Sequence, residues 1–258
     1  MNRITELFNK KNENILNVYF TAGFPQLNDT QQIIESLQAS GADIIEIGIP
    51  FSDPVADGPT IQRSNERALR NGMTLKLLFS QLENIREKIN IPIILMGYIN
   101  PVIQFGIEEF CIQCKNIGID GVILPDLPLQ EYINEYKSIF DKYGIINNFL
   151  ITPQTSESRI NKIDEVSNGF IYMVSSSSIT GSKADTTNDQ ITYFERILSI
   201  NLKTPRLIGF GISNRQTFQT ACKYANGAII GSAFINAIEN DQPIDKSISN
   251  FINNIIKI

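Results

Sequence analysis

Three acidic residues lie close together among glycines and prolines in the segment IEIGIPFSDPVADGPTIQ, residues 45–62. Glu46 belongs to an apolar run, whereas Asp53 and Asp57 follow that run in a more polar stretch. The chain contains no histidine, so proton transfer near neutral pH would have to use another group. A carboxyl group can take that role, because burial in an apolar pocket raises its pKa toward neutrality.

Glu46 lies in the middle of ADIIEIGI, a run that predicts a buried strand. Strand alternation places Glu46 on the same side as Ile44 and Gly48. If that side faces the mouth of a barrel, Glu46 can act as a general acid or base. The alternative is an ion pair at a strand end, which the neighbouring sequence does not favour because it supplies no cation.

Asp57 follows eleven residues after Glu46, in the loop VADGP, and can supply a second carboxylate that stays ionised in a wetter setting. Two acids in different environments can divide the labour, one moving protons and the other stabilising positive charge. The alternative for Asp57 is a turn residue, or a cap of the helix that begins near Pro59. Asp53, directly before Pro54, is interpreted as a turn residue.

Two apolar runs near the C-terminus end in GFGIS (209–213) and IIGSAF (229–234). Glycine at such a turn lets backbone N–H groups approach a ligand closely. A short helix, AFINAIEN, is predicted directly after Gly231 and Ser232, and this combination is the recurrent phosphate site of barrel enzymes. We therefore expect a substrate with a phosphate group. The alternative is that these glycines only form tight turns.

These candidates must be positioned by the strands and helices of one fold. Eight short apolar runs alternate with helical patterns: LNVYFTA, ADIIEIGI, IPIILMGY, DGVILPD, INNFLIT, GFIYMVS, PRLIGFG and GAIIGSA. This alternation predicts an α/β fold, a (β/α)8 TIM barrel in one domain over residues 1–258. An extra N-terminal helix and a short extra helix after strand eight complete it. A doubly wound sheet would carry G-x-G-x-x-G after its first strand, where this chain has TAGFP.

Composition excludes several classes of function. The net charge is -5, and the 22 basic residues form no cluster, so nucleic-acid binding is not expected. No apolar run reaches the ~20 residues of a membrane span, and the N-terminal residues resemble no targeting signal. Cys111 and Cys114 form a CxxC that could be a redox or zinc pair. Their helical pattern, IEEFCIQCKNIG, favours two buried helix residues instead.

The string EIGIPFSDPVADGPTIQ, followed in order by LMGYINP, ILPDLP, SSITG, GFGIS and IIGSAF, closely resembles the tryptophan synthase alpha chain family. The resemblance covers nearly the whole chain. It implies a (β/α)8 barrel that cleaves indole-3-glycerol phosphate to indole and glyceraldehyde 3-phosphate by a retro-aldol reaction, with neither a metal nor an organic cofactor. It also implies a beta chain that receives the indole, in an alpha2-beta2 complex.

The resemblance assigns roles to individual residues. Glu46 is expected to protonate indole C3, and Asp57 to contact the indole N–H and stabilise the cation. Tyr172 is expected near Glu46, and Thr180 in a mobile loop that closes onto Asp57. The phosphate would be bound by Gly181, Gly211, Gly231 and Ser232, and the indole ring by Phe20, Ile61, Tyr98, Leu124 and Phe210. Many relatives have glycine where this chain has Ser178, which predicts altered loop closure.

Two other functions remain open at this stage: a free-standing indole-3-glycerol phosphate lyase, and a catalytically silent phosphate-binding barrel with a regulatory role. The presence of both Glu46 and Asp57 argues against the silent barrel. The Ile/Asn-rich composition is typical of an AT-rich genome, so we expect a cytoplasmic protein, or one of the plastid stroma if it is organelle-encoded.

Overall fold

The computed structural model describes residues 2–175, 187–209 and 211–256. Its strands form one sheet in the order β5-β4-β3-β2-β1-β9-β8-β7-β6, and all paired neighbours are parallel. The strands are β1 (Ile15–Thr21), β2 (Ile44–Gly48), β3 (Ile93–Met96), β4 (Gly121–Ile123), β5 (Ile146–Asn147), β6 (Leu150–Ile151), β7 (Ile171–Val174), β8 (Arg206–Gly209) and β9 (Gly227–Ile230).

The sheet closes into a barrel through the segment 146–151. This segment was predicted as one strand, and the structure divides it into β5, which pairs with β4, and β6, which pairs with β7. Between them, the Asn148 backbone N–H donates to the Val122 carbonyl at 2.9 Å, and the Tyr172 N–H donates to the Phe149 carbonyl at 2.8 Å. The segment is therefore bonded on both sides, and the predicted (β/α)8 barrel is confirmed.

Helices follow the strands along the chain and cover the outside of the barrel. They are α1 (Arg3–Lys10), α2 (Thr30–Ser40), α3 (Pro59–Arg70), α4 (Leu75–Gln81), α5 (Ile99–Phe105), α6 (Ile107–Ile117), α7 (Leu129–Glu131), α8 (Lys137–Tyr143), α9 (Glu157–Val166), α10 (Asn188–Ser199), α11 (Arg215–Cys222), α12 (Ser232–Ile238) and α13 (Ile244–Ile256). The predicted extra helices are present as α1, before β1, and α12, directly after β9. No helix in the described ranges is long and apolar enough to cross a membrane.

The strands carry apolar side chains on both faces, as expected for a sheet covered by helices outside and filled by side chains inside. The interior cluster includes Ile15, Ile44, Ile94 and Leu207, one from each of four strands. Residues that alternate with these, such as Val18, pack in the larger cluster that also contains the helices' buried residues. Glu46 lies on the interior side because it is two residues from Ile44 in β2.

Helix α1 closes the end of the barrel where the strands begin. Its Ile4 belongs to the interior cluster, and the Phe8 ring lies 6.1 Å from the ring of Phe170, just before β7. Asn2 caps the helix by accepting from the Ile4 N–H at 2.9 Å, and its side chain also donates to the Asp120 carbonyl at 2.7 Å. Helix α1 does not cover the opposite end of the barrel, where the strands finish.

Two helical patterns of the sequence have different outcomes in the structure. The pattern TLKLLFSQLENIREKI, residues 74–89, predicts one helix, but α4 stops at Gln81 and a separate 3-10 turn covers Ile85–Glu87. Asn84 has a φ of 59°, a left-handed conformation that asparagine tolerates and that interrupts a helix. Cys111 and Cys114 are fully buried in α6, which confirms the buried-helix interpretation. Burial raises the pKa of the Cys111 thiol to about 12.

Candidate functional site

Glu46 is held inside the barrel by the register of β2. It lies between Tyr19 of β1 and Ile94 of β3, and its side chain is 1% exposed. Its Oε2 accepts a hydrogen bond from Asn17 Nδ2 at 2.7 Å, while its Oε1 is buried and has no partner among the described residues. The ion pair that was the alternative interpretation is not found for Glu46 in the described ranges.

Burial dominates the electrostatics of Glu46. Desolvation raises the pKa of Glu46 to about 8, the Asn17 hydrogen bond opposes the rise, and the nearby Asp57 charge adds to it. At pH 7 the carboxyl group therefore carries its proton most of the time and can donate it. After donation, the same group is basic enough to take a proton back.

Asp57 lies in the loop between β2 and α3 and is 9% exposed. Its Oδ2 accepts from the Tyr98 hydroxyl at 3.1 Å, and desolvation raises its pKa while this hydrogen bond lowers it. Helix α3 begins after Gly58, and no side chain caps it. Asp57 is therefore not the helix cap that the alternative interpretation required, and its side chain is directed to the Tyr98 hydroxyl instead.

Asp53, in contrast, takes no part in this arrangement. It is exposed and accepts a hydrogen bond from the hydroxyl of the preceding Ser52, as a turn residue does. Two of the three acidic residues in the segment thus approach each other, and the third stays in solvent.

Three tyrosines surround the two carboxyl groups. Tyr98 follows β3, and burial raises its pKa to about 12. Tyr172 of β7 is buried, and its pKa is raised first by desolvation and then by the charges of Glu46 and Asp57. The pKa of Tyr19 on β1 is also raised, first by desolvation and then by the charge of Asp57. These couplings mean that residues from β1, β2, β3 and β7 meet at one end of the barrel.

Tyr19 and Asn17 are site residues that sequence reasoning missed. The Tyr19 hydroxyl lies 3.3 Å from Thr21 Oγ1, and its ring lies against Gly48 of β2, where a side chain would collide with it. Alternation within ILNVYFT puts Asn17, Tyr19 and Thr21 on one face. The polar Asn17 and Thr21 were the available signal that this face, rather than the one with Phe20, turns toward the carboxylates.

Phe20 was predicted to contact the substrate, and the structure does not bring it to the site. It lies on the face of β1 opposite Tyr19, fully buried with Leu16 and Val18 in the layer between the sheet and the helices. The reason is the strict alternation of side chains along a strand, which a shift of one residue reverses.

The remaining predicted apolar contacts are placed as follows. Ile61 is buried on α3, and Leu124 is buried directly after β4. A cavity beside Asp57 and Tyr98 is lined also by Tyr19, Ile49, Asn65, Met96, Gly97 and Pro125. This small cavity, about 10 Å³ in volume, lies near the ends of β1 to β4.

The predicted phosphate residues lie at the ends of β8 and β9. Gly211 follows β8 with a φ of 76°, which favours glycine, and Gly231 precedes Ser232, the first residue of α12. The first turn of a helix leaves N–H groups without intrahelical partners, and these can face an anion. Thr180, Gly181 and Phe210, together with Ser178, lie outside the described residues.

Within the described ranges, no group of three or more His, Cys, Asp or Glu side chains could hold a metal ion.

Comparison with known proteins gives one consistent result. The family model described as tryptophan synthase alpha chain matches residues 6–256. The tryptophan synthase alpha chain of Flavobacterium johnsoniae is 63% identical over 235 residues, covering 91% of this chain and 92% of the relative. That of Flavobacterium psychrophilum is 57% identical over 256 residues, covering 99% of this chain and 100% of the relative.

Solved structures agree with the sequence relatives. The crystal structure of tryptophan synthase subunit alpha from Legionella pneumophila superposes with a TM-score of 0.88 at 33% identity, covering 99% of this chain and 97% of that one. A chain of the tryptophan synthase complex from Pyrococcus furiosus superposes with a TM-score of 0.87 at 33% identity, covering 96% of this chain and 100% of that one.

Proposed function

Because the chain belongs to the tryptophan synthase alpha chain family, we propose that Glu46 and Asp57 carry out the chemistry of that family's reaction. The chain is a carbon–carbon lyase of tryptophan biosynthesis, which cleaves indole-3-glycerol phosphate to indole and glyceraldehyde 3-phosphate. The observation that carries the residue assignment is the pair of carboxyl groups at the end of the barrel, one of them with a pKa raised to about 8.

The reaction needs one proton delivered and one removed. Indole C3 gains a proton, the bond from C3 to the glycerol carbon breaks, and the hydroxyl on that carbon loses its proton as the aldehyde forms. Glu46 delivers the first proton and accepts the second, so it ends the turnover in its starting state. Asp57 lies near the ring N–H and stabilises the positive charge that C3 protonation creates.

The substrate binds across the opening of the barrel. Its phosphate contacts the backbone amides of Gly211, Gly231 and Ser232, with Gly181 as a further contact. An acidic protein can bind a phosphate in this way because oriented N–H groups supply the positive potential.

The indole ring occupies the apolar part of the opening. Tyr19 replaces Phe20 in this proposal, because Tyr19 shares the interior face with Glu46. The other contacts are Ile61, Tyr98, Leu124, Tyr172 and Phe210. Tyr19 and Tyr98 line the small cavity beside Asp57, which supports these two members of the set.

The chain works with a tryptophan synthase beta chain, which receives the indole. The loop 51–59, between β2 and α3, is our candidate for part of the contact with it. Val55 in this loop is 79% exposed, so its side chain is available for contact with a partner. The loop also carries Asp57, so a partner there would bear directly on the site.

We also propose that residues 1–258 form a single domain, which is supported by one sheet that draws strands from both halves of the chain. A cytoplasmic location is preferred over the plastid stroma, because the sequence relatives come from bacteria.

The direct test is release of indole from indole-3-glycerol phosphate by the purified chain, with and without a beta chain. We expect indole and glyceraldehyde 3-phosphate in equal amounts, and a higher rate with the beta chain. Asp53→Asn is a matched control, because Asp53 is an exposed carboxylate of the same loop, and its cleavage rate without the beta chain should equal that of the unmodified protein. Absence of indole release with the beta chain present would refute the assignment.

A further inference from the structure

Asn17 is a polar residue at an apolar level of the barrel interior. In the sheet it lies between Ile44 of β2 and Ile229 of β9, both of which belong to the interior cluster. Its side chain is 0% exposed, and Nδ2 donates to Glu46 Oε2 at 2.7 Å. Burying an amide among isoleucines costs free energy unless its polar atoms are hydrogen-bonded, and Asn17 makes such a bond with Nδ2 only.

Two acceptors beside this hydrogen bond are unused. Asn17 Oδ1 and Glu46 Oε1 are both buried and have no hydrogen-bond partner among the described residues. Buried polar atoms without partners are rare, and each one calls for a physical explanation. Because both atoms are acceptors, the missing partner must bring a donor hydrogen, such as a proton on Glu46 or a substrate hydroxyl.

An amide suits a neighbour that changes its protonation state. Its N–H donates to Glu46 Oε2 when Glu46 is a carboxylate, and it donates to the same oxygen when Oε1 carries the proton. An aliphatic side chain can do neither, and a carboxylate would repel the charged form of Glu46. Asn17 is thus able to hold Glu46 in one position before and after proton transfer.

We propose that Asn17 is a positioning residue for Glu46, which occupies Oε2 and leaves Oε1 as the oxygen that exchanges protons with the substrate. This inference rests on the proposed function, in which Glu46 first donates a proton to indole C3 and then accepts one from the glycerol hydroxyl. The proton count of the enzyme is unchanged over the cycle, and no oxidant or reductant is needed.

The other groups facing Glu46 come from three parts of the barrel. Tyr19 lies on β1, Tyr172 on β7 and Asp57 in the loop after β2, and each is electrostatically coupled to Glu46. Of the groups around Glu46, Asn17 is the one that lowers its pKa, whereas burial and the Asp57 charge raise it. Removing the Asn17 amide should therefore raise the pKa of Glu46.

The test is a titration of Glu46 by NMR in protein labelled with carbon-13 at the glutamate carboxyl carbon, without substrate. The Glu46 signal is assigned by its absence in Glu46→Gln. In Asn17→Leu, which keeps the branched shape of the side chain but removes its polar atoms, the midpoint should rise by about one pH unit or more. In the cleavage assay kcat should fall about tenfold while KM changes little, because the amide does not bind the substrate directly.

Asn147→Leu is the matched control. Asn147 on β5 is also buried with an unpartnered Oδ1, but β4 and β3 separate it from β2. It should leave the titration of Glu46 unchanged. If Asn17→Leu does not fold, Asn17→Asp keeps the shape and should also raise the midpoint, by adding a second acid.

An unchanged or lowered midpoint in the folded Asn17 variant would overturn the proposal, as would an equal shift in Asn147→Leu. The titration needs no turnover, so it separates this inference from the proposed function. If the unmodified protein released no indole, the function would fail, while the midpoint would still decide whether Asn17 acts on Glu46.

Discussion

The two ends of the barrel treat their carboxyl groups in opposite ways. At the end closed by α1, Asp120 accepts from Arg3, from Arg86 and from the Ile93 N–H. At the opposite end, Glu46 and Asp57 accept from neutral groups, the Asn17 amide and the Tyr98 hydroxyl. Asp120 joins two cationic side chains and a strand N–H by ion pairs and hydrogen bonds, whereas Glu46 is buried without a cation and its pKa is raised to about 8, so it can take up a proton.

Asp43 extends the comparison within a single strand region. It lies three residues before Glu46, just outside β2, and accepts from Lys11 at 2.6 Å and from the Leu16 N–H at 2.8 Å. Residues so close in sequence have different roles because they lie at different depths along the strand. Where the strands begin, Asp43 and Asp120 connect neighbouring elements by ion pairs and hydrogen bonds. Where the strands end, Glu46 and Asp57 have no cationic partner in the described ranges and are the candidate catalytic groups.

The largest expected effect is on catalysis at the open end. Glu46→Gln keeps the shape and a hydrogen bond to Asn17 but cannot transfer a proton, so kcat should fall about 1,000-fold or more. The measurement is steady-state indole release, with circular dichroism as the control for folding. Turnover near that of the unmodified enzyme would remove Glu46 from the mechanism and abolish the distinction between the ends.

At the closed end the expected effect is on stability alone. Asp120→Asn leaves Arg86 without its counter-charge in a mostly buried position, which should lower the free energy of unfolding by about 3 kcal/mol. Chemical denaturation measures this loss, and kcat for the folded variant should stay unchanged. Glu108→Gln, which breaks a solvent-exposed ion pair to Lys142, is the control and should have a smaller effect. A large loss of kcat in Asp120→Asn would contradict the division of roles.

Asp57→Asn tests the second carboxylate. The amide can still accept from the Tyr98 hydroxyl, but it carries no charge to stabilise the protonated ring, so kcat should fall about 100-fold. Stopped assays of indole release are sufficient to measure it. A change in KM without a change in kcat would mean that Asp57 only binds the substrate.

The smallest effect concerns how stability depends on pH. Because the folded-state pKa of Glu46 is raised from 4.5 to about 8, the folded protein binds one more proton than the unfolded chain between these values. The contribution of Glu46 to stability is therefore full below pH 4.5 and is lost as pH rises toward 8. Glu46→Gln should remove this decline, on the order of 1 kcal/mol per pH unit. Denaturation at pH 5.5 and 7.5 would detect it, and identical slopes in both proteins would contradict it.

Much of the fold was predictable because a closed parallel barrel leaves a strong pattern in the sequence. Strands covered on both faces appear as short apolar runs, and all eight predicted runs contain strands. Alternation put Glu46 on the same side as Ile44, and the structure showed that this side faces the barrel interior. The exception at 146–152 was not predictable, since INNFLIT reads as one strand and divides only because its two ends pair with different neighbours.

The site was predictable in part, for a reason that Phe20 illustrates. In ILNVYFT both faces of β1 are apolar enough to be buried, and the polar Asn17 and Thr21 give only a weak signal for the inner face. Tyr19 and Phe20 are adjacent and both aromatic, and the pairing of β1 with β2 places Tyr19 beside Glu46. The hydrogen bond from Tyr98 to Asp57 likewise joins residues that are 41 positions apart in the chain.

The sequence by itself determined the class of fold, the presence of two candidate carboxyl groups and the membership of a family, because these depend on local pattern and on residue type. Only the tertiary structure decided what those groups can do. The pKa of Glu46 depends on how completely water is removed around it and on which donors reach it. Asn17, Tyr19 and Asp57 reach that place through the closure of the barrel, which no short stretch of sequence contains.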